Sequence, residues 1–465
     1  MANQTNPDEF SRISKLFVDT DQEHPDRSLV RRRRQQVTLA CGSELAHSFT
    51  LQLALLTAAN IADRCFPGAV RIDIDERQIN SPLLVCPTAD QTLGRALASL
   101  VGHRALRIRT PSRVGDHTIL FGDAAAVDHS LRVTFDGWIA KTGPAAAVSR
   151  LPEREFCTLV GVLAGALAVS EIFLSFAQVS VEAGHRPVSL SLWRPDLDTN
   201  NPDALGVPVE FLPTQLWVLG LGHLGQAYLW ALGTLPYLER ESTQIVLNDF
   251  DKVVPANIET GLLLGKSNVD TYKTRACSKW LERRGFNTRL VERRFGPDFR
   301  CDSMEPHLAL CGFDSNVARQ SLESAEFIRV VECGLGGAAH NFDTINLHTL
   351  PNPRTGGDLW PADDDLENRA EQIARENRAY GQLIKGKDAE CGRVQLAGKA
   401  VAVPFVGAVA ASFVIAEVLR LLHGGPKRTQ LKLRLATPIC DSVSVTENYE
   451  ASDTGAIPYG RARRF

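Results

Sequence analysis

Apolar residues along this chain fall into short blocks separated by polar, glycine- and proline-rich stretches. Met1–Val30 is polar and is expected to be loosely ordered, apart from an amphipathic piece at Phe10–Phe17. Arg31–Arg34 then leads into an apolar strand at Val37–Ala40 and a long apolar helix at Leu45–Ile61. The pattern continues with a strand at Ala69–Ile74, a helix at Gln91–Val101, strands at Ala105–Arg109 and Thr118–Phe121, and an apolar helical run from Thr158 to Gln178. Strands alternating with helices predict a mostly parallel, doubly wound sheet.

Arg194–Pro213 is rich in Pro, Asp and Asn and lacks periodicity, which reads as a linker. The pattern then begins again. Strands are predicted at Gln215–Leu219, Gln244–Leu247, Thr288–Glu292, His307–Cys311 and Phe327–Cys333, with helices at Gly225–Leu232, Thr271–Arg284 and Ala318–Ala325. Past Pro351 comes a polar segment with one acidic helix, Asp365–Ala379, then the apolar Val401–Leu422 and a closing strand at Gln430–Ala436. The implied organisation is a first domain over 1–195, a linker over 196–213 and a second domain over 214–465.

The two halves correspond in detail, as in a degenerate duplication. Leu39-Ala40-Cys41-Gly42 stands where Leu219-Gly220-Leu221-Gly222 stands, and Arg71–Asp75 answers Leu247–Asp251. Ile119–Asp123 answers Leu310–Asp314, and Leu159-Val160-Gly161 followed by Glu171 matches Phe405-Val406-Gly407 followed by Glu417. The first copy has lost most of its loop glycines.

Composition changes this picture little. Hydrophobic content of 44%, charged content of 23% and a net charge of −3 are ordinary for a globular protein and give no reason to expect a nucleic-acid or membrane binder. Thr158–Ala168 and Ala400–Ala416 are the only membrane candidates, and buried helices explain both better. The polar N-terminus has no signal-peptide layout, so a cytoplasmic protein with reduced thiols is expected. No two of the ten cysteines are spaced as Cys-x-x-Cys, which argues against a zinc knuckle.

Gly220-Leu221-Gly222-His223-Leu224-Gly225 lies between a predicted strand and helix, with Asp249 at the end of the next strand. Glycines let a backbone turn sharply and approach phosphates at a helix N-terminus, and a carboxylate accepts ribose hydroxyls. By itself this fits NAD or FAD as well as ATP. The run continues with Asp249-Phe250-Asp251, Ala256-Asn257, Lys273 on a helix, and Asp314-Ser315-Asn316-Val317-Ala318-Arg319 after a strand. This succession resembles the ubiquitin-activating enzyme superfamily, including bacterial adenylyltransferases of the ThiF and MoeB type. The match is dense over Trp217–His340 and looser as far as Leu422.

The resemblance implies two doubly wound Rossmann-like adenylation-type domains, the first degenerate, paired as a pseudo-dimer in one chain. It also implies ATP and Mg²⁺ as cofactors. Gly220, Gly222 and Gly225 would cradle phosphates, Asp249 with Asp251 would hold the ribose end, and Asn257 would orient phosphates or the attacking carboxylate. Lys273 would face the polyphosphate and Asp314 would bind magnesium, a hard cation suited to carboxylate and phosphate oxygens. His223 receives no role.

One departure stands out. Family members carry an arginine shortly after the turn asparagine, and Asn257-Ile258-Glu259-Thr260-Gly261 has none. The family also draws an arginine from the partner domain, for which Arg12, and after it Arg31–Arg34, are the candidates. Family members that form thioesters carry a cysteine in the crossover region, here about 351–400. Cys391 occupies that place, in a polar and exposed loop where Lys387 or Arg393 would lower its pKa. Cys277, Cys311 and Cys333 fall in apolar contexts and are expected to be inert.

The expected protein is thus a compact bacterial activating enzyme, of a kind sometimes encoded in antiphage operons. It would adenylate a ubiquitin-like modifier, capture it on Cys391 and pass it to a conjugating enzyme, acting as a monomeric pseudo-dimer. The patch Asp363-Asp364-Asp365 would help recruit a basic partner. Adenylation of a sulfur carrier or a tRNA base without an enzyme thioester, and an NAD- or FAD-dependent oxidoreductase, remain as alternatives.

Overall fold

The computed structural model describes residues 6–85, 92–108, 117–362, 366–385, 389–455 and 457–464. Helices α1 (Arg12–Asp21) and α2 (Pro25–Arg34) precede the first sheet. That half then runs β1 (Val37–Cys41), α3 (Phe49–Cys65), β2 (Val70–Ile74), α4 (Glu76–Ile79), α5 (Leu93–Val101), β3 (Leu106–Ile108), β4 (His117–Phe121), β5 (Ser130–Asp136), β6 (Ile139–Pro144), α6 (Val160–Phe176) and β7 (Val188–Ser191).

A short strand, β8 (Phe211–Pro213), leads into the second half. There follow β9 (Gln215–Leu219), α7 (His223–Gly233), β10 (Gln244–Asn248), α8 (Pro255–Thr260), α9 (Lys273–Glu282), β11 (Asn287–Val291), β12 (Leu308–Cys311), α10 (Asn316–Gln320), β13 (Arg329–Leu335) and β14 (Thr344–Leu350). The crossover region is helical: α11 (Gly356–Leu359), α12 (Leu366–Glu376), α13 (Arg378–Leu383) and α14 (Ala389–Ala397). After it come α15 (Pro404–Leu422), β15 (Pro426–Arg434), β16 (Thr437–Asn448), α16 (Ala451–Thr454) and β17 (Tyr459–Arg461).

The sheets repeat one topology. The first has the order β3-β2-β1-β4-β5-β6-β7 and the second β11-β10-β9-β12-β13-β14-β15-β16. In both, the first five strands are parallel and the rest antiparallel. The predicted correspondences fall on matching elements: β1 with β9, β2 with β10, β4 with β12, and α6 with α15. Between the sheets, α3 and α6 pack on each other and on α15, which in turn packs on α7. One continuous apolar core therefore spans both halves. Helix α15 is long and apolar enough to cross a membrane by composition, but 94% of its apolar window is buried inside this core.

Several expectations need correcting. The N-terminal segment is two helices rather than a loose tail. Ser11 caps α1, whose Ile13, Leu16, Phe17 and Val18 are buried despite polar neighbours. Arg31–Arg34 forms the last turn of α2, where cations favour the helix dipole. Strand β5, at the parallel–antiparallel boundary, and the antiparallel strands β6, β7, β14 and β16 were absent from the apolar pattern because their polar residues break up continuous apolar runs. The linker carries β8, paired with β17. Helix α10 is shorter than Ala318–Ala325, and α12 and α13 replace a single acidic helix because Asn377 caps a new start. The starts of the helices predicted from Gln91 and Asp365, the Arg109 strand end and the Asp363–Asp365 patch lie outside the described residues.

Candidate nucleotide site

Strand β9 lies at the centre of the second sheet, flanked by β10 and β12. Its chain turns at Gly220, with φ of +79°, a conformation that excludes most side chains. At Gly225 a Cβ would lie 1.9 Å from the Gly220 carbonyl oxygen, so only glycine lets α7 sit on the loop, while a Cβ at Gly222 would meet open space. No side chain caps the N-terminus of α7. This is the backbone of an anion cradle.

Asp249, just past β10, ties the loop down. Its Oδ2 accepts from the Leu221 N–H at 2.7 Å and its Oδ1 from the Asp251 N–H at 2.8 Å. Burial pushes its carboxyl pKa up, against the opposing charge of Lys273 and these hydrogen bonds. Lys273 is the first residue of α9, and its Nζ lies 3.0 Å from Asp251 Oδ2 and 3.8 Å from Asp249 Oδ2. The loop, Asp249, Asp251 and Lys273 therefore form one connected cluster.

Asp314 follows β12 on the other side of β9 and is exposed. Its neighbour Phe313 approaches the loop, with a ring carbon 3.1 Å from where a Gly220 Cβ would be. Ser315 caps α10, and Arg319 braces the turn from below, donating to the Phe313 carbonyl at 2.5 Å and to Asn316 Oδ1 at 3.1 Å. The Arg319 Nε pairs at 2.9 Å with Glu332, which is wholly buried and also lies 3.1 Å from His348 Nδ1. Glu332 was not singled out, although a lone acid in the apolar strand Phe327–Cys333 was a readable signal. Among the described residues no cluster of three or more His, Cys, Asp or Glu is placed to hold a metal. Magnesium needs only one or two carboxylates when phosphates complete its shell, and the exposed Asp314 at the open mouth of the loop fits that donor set.

Asn257 lies on α8, where its Oδ1 accepts from the Val254 N–H at 3.0 Å. Arg12 is brought to the same helix. Its neighbour Ser11 donates to Glu259 at 2.6 Å, and the Asp8 carbonyl accepts from the Ala256 N–H at 2.9 Å. Burial lowers the pKa of the Arg12 guanidinium, against the raising effect of Asp8 and Glu259, and its Nη1 is buried without a partner. Arg32, in the basic run, is wholly buried and pairs with Glu259 at 2.7 Å. Glu259 was missed as a site residue because its partners lie in the other half.

Cys391 is not brought to the loop. It lies in the first turn of α14, a helix rather than the expected loop, because Ala389, Leu396 and Ala397 pack into a local core. It is the one exposed thiol among the described cysteines. Lys387 lies outside the described residues, and the Arg393 Nε donates to the Ile384 carbonyl at 3.1 Å instead of facing the thiol. Cys277, Cys311 and Cys333 are buried, and desolvation pushes their thiols up. His223 packs against α15, where a Gly407 Cβ would lie 2.5 Å from its Nε2.

Among its described residues the first half has no such cradle. After β1 the chain forms a tight turn at Ser43–Ala46, Ser43 donates to Asp123 at 2.7 Å, and Gln78 bonds the Gly42 carbonyl. Its own side chains fill the place where phosphates would lie.

A twice-wound α/β frame with one intact glycine loop defines a two-domain Rossmann-like protein. Comparison with known proteins makes the assignment particular: this chain belongs to the BilD family of bacterial E1-like proteins. The BilD N-terminal domain family matches residues 36–192 and the BilD C-terminal domain family residues 212–425. The bacterial E1-like protein BilD of Collimonas sp. (strain OK412) is 36% identical over 421 residues, covering 89% of this chain and 88% of that protein. Among solved structures, E. coli MccB matches 51% of this chain and 63% of its own at 12% identity and a TM-score of 0.32. E. coli TcdA, a tRNA N6-threonylcarbamoyladenosine dehydratase, matches 45% of this chain and 86% of its own at 14% identity and a TM-score of 0.29.

Proposed function

We propose that this protein uses ATP and Mg²⁺ to adenylate the C-terminal carboxylate of a ubiquitin-like protein, captures the acyl group on Cys391 and passes it to a conjugating enzyme. The observation that supports the reading is the glycine loop at the end of β9, tied through Asp249 to Lys273, with Asp314 following the neighbouring strand β12. In the first step a carboxylate oxygen attacks the α-phosphorus of ATP and pyrophosphate leaves. Charge builds on that leaving group, and preorganised cations stabilise it. In this reading Lys273 and Arg12 supply such charge, and Asn257 orients the attacking carboxylate. Bound at Asp314, magnesium would neutralise phosphate oxygens.

The second step needs a thiolate, which displaces AMP from the acyl adenylate and leaves a thioester. The exposure of Cys391 supports this role. The reading extends to an inactive first domain (1–195), a linker (196–213) and an active second domain (214–465) in one cytoplasmic pseudo-dimer. Adenylation without an enzyme thioester remains the second reading, favoured by the turning of Arg393 away from the thiol.

ATP–pyrophosphate exchange that depends on an added ubiquitin-like protein tests the first step. Asp314→Ala is expected to abolish it, and activity surviving that change refutes the metal assignment. Cys391→Ser is expected to keep exchange while losing a thiol-sensitive adduct with the modifier. If the adduct persists in Cys391→Ser, or never forms in the unchanged chain, the thioester step falls and adenylation alone stands.

A further inference from the structure

The run Asn257-Ile258-Glu259-Thr260-Gly261, which lacks the family's arginine, carries Glu259 instead. One carboxylate oxygen accepts from the Ser11 hydroxyl at 2.6 Å and the other from Arg32 at 2.7 Å. Arg32 also donates to the Ser14 hydroxyl at 3.2 Å and to the Cys65 carbonyl at 3.1 Å, at the end of α3. The first half grips the rest of α8 as well. Arg64 donates to the Ile258 carbonyl, Asn60 donates to the Leu262 carbonyl at 2.9 Å, and the Asp8 carbonyl holds the Ala256 N–H. A helix of six residues does not hold its place by its own hydrogen bonds, so the first half sets where α8 and Asn257 sit.

We propose that Glu259 is a positioning residue: it fixes the start of α1 through Ser11 and Arg32, so that Arg12 faces the polyphosphate of ATP beside Asn257. This rests on the adenylation reading of the same site. Arg12 is adjacent to Ser11 in the chain, and its buried, unpartnered Nη1 is a donor left over for an anion. Glu259 answers Arg32, and the positive charge left over is that of Arg12.

ATP affinity of the full chain, measured by calorimetry, separates positioning from scaffolding. Glu259→Gln keeps the size of the side chain and removes its charge. ATP binding is expected to weaken by about ten-fold or more in Glu259→Gln and in Arg12→Ala, the worth of a charged hydrogen bond. Combining the two is expected to add less than about two-fold, because one acts through the other. An equal loss in both backgrounds, or undiminished affinity in Glu259→Gln, overturns the proposal. Removing one partner of a buried pair risks unfolding, so Arg32→Met with Glu259→Gln, which removes both charges, is measured beside it. That double variant is expected to bind ATP as weakly as Glu259→Gln, and restored affinity in it overturns the proposal too. If affinities move as expected while no modifier supports exchange, the adenylation reading fails and the assignment of Glu259 stands. No ATP binding by the unchanged chain overturns both.

Discussion

His223 stands where the glycine loop becomes α7, with its ring closed in by the first turn of α15. Burial pushes its pKa down to about 4 from an ordinary 6.5, and hydrogen bonding to the backbone of Val403 and Pro404 opposes this only in part. The folded protein therefore keeps the imidazole neutral in a pH range where the unfolded chain protonates it. Stability from this residue is complete above pH 6.5, falls as the pH drops towards 4, and then levels off. The loss across that window is about 3 kcal/mol. Urea unfolding at pH 7.5 and 5, compared with His223→Gln, checks this: the variant's pH slope should be shallower, and an equal slope refutes the assignment. The same scale shows which site residues sequence can reveal. Gly220, Gly225 and Asp249 were legible because one short stretch of backbone fixes their spacing. The Arg32–Glu259 pair was not, because its members are 227 residues apart and only the folded halves bring them together.

At the scale of elements, the crossover helices α12–α14 dock on α1 and on Phe10 ahead of it. Phe10 and Val18 join Ala379, Tyr380, Leu383, Ile384 and Leu396 in a cluster separate from the main core. A polar triad anchors it. Lys15 Nζ lies 2.6 Å from Asp19 and 2.8 Å from the Tyr380 hydroxyl, which donates to Asp19 at 2.5 Å. Asn377 adds a bond to the Val18 carbonyl at 2.6 Å. Helix α1 thus touches both α8 and the module that carries Cys391. Tyr380→Phe removes a donor and an acceptor while leaving Lys15 and Asp19 in place, at a cost of about 1–3 kcal/mol. Hydrogen exchange in α12–α14 should quicken more than exchange in β9 and β12, and uniform quickening would contradict a local anchor. This docking was not legible, and α1 (Arg12–Asp21) was legible only as the amphipathic piece at Phe10–Phe17, since six buried positions inside a polar segment give too weak a pattern to place a whole packed helix. Cys391 was legible by its position in the crossover but not by its conformation, because packing of Leu396 and Ala397 outweighs the helix-weakening Gly392.

Across the whole molecule, the two copies are locked by equivalent carboxylates. Glu171 on α6 pairs with Arg186 at 2.9 Å, and Arg186 reaches into the second half to the Ala436 and Leu435 carbonyls at 2.7 and 3.1 Å. Glu417, at the matching place on α15, pairs with Arg420 and accepts from the Tyr449 hydroxyl at 2.8 Å. Arg420 and Arg428 donate back into the first half, to the Leu192 and Trp193 carbonyls. The repeat seen in the sequence, Val-Gly followed by a distant Glu, therefore marks the two ends of one interlock, whose partners the sequence left unnamed. Glu417→Gln leaves the buried Arg420 and Arg428 without the carboxylate they contact and with only the field of Asp196, which costs about 3 kcal/mol. Because those arginines hold first-half carbonyls, and because one apolar core runs through α3, α6, α7 and α15, the loss should fall on both halves together. Calorimetry should then give one unfolding transition moved to lower temperature. Two transitions, with only the second half shifted, would mean that the first half folds as an independent domain and that its grip on α8 is not built into the common core.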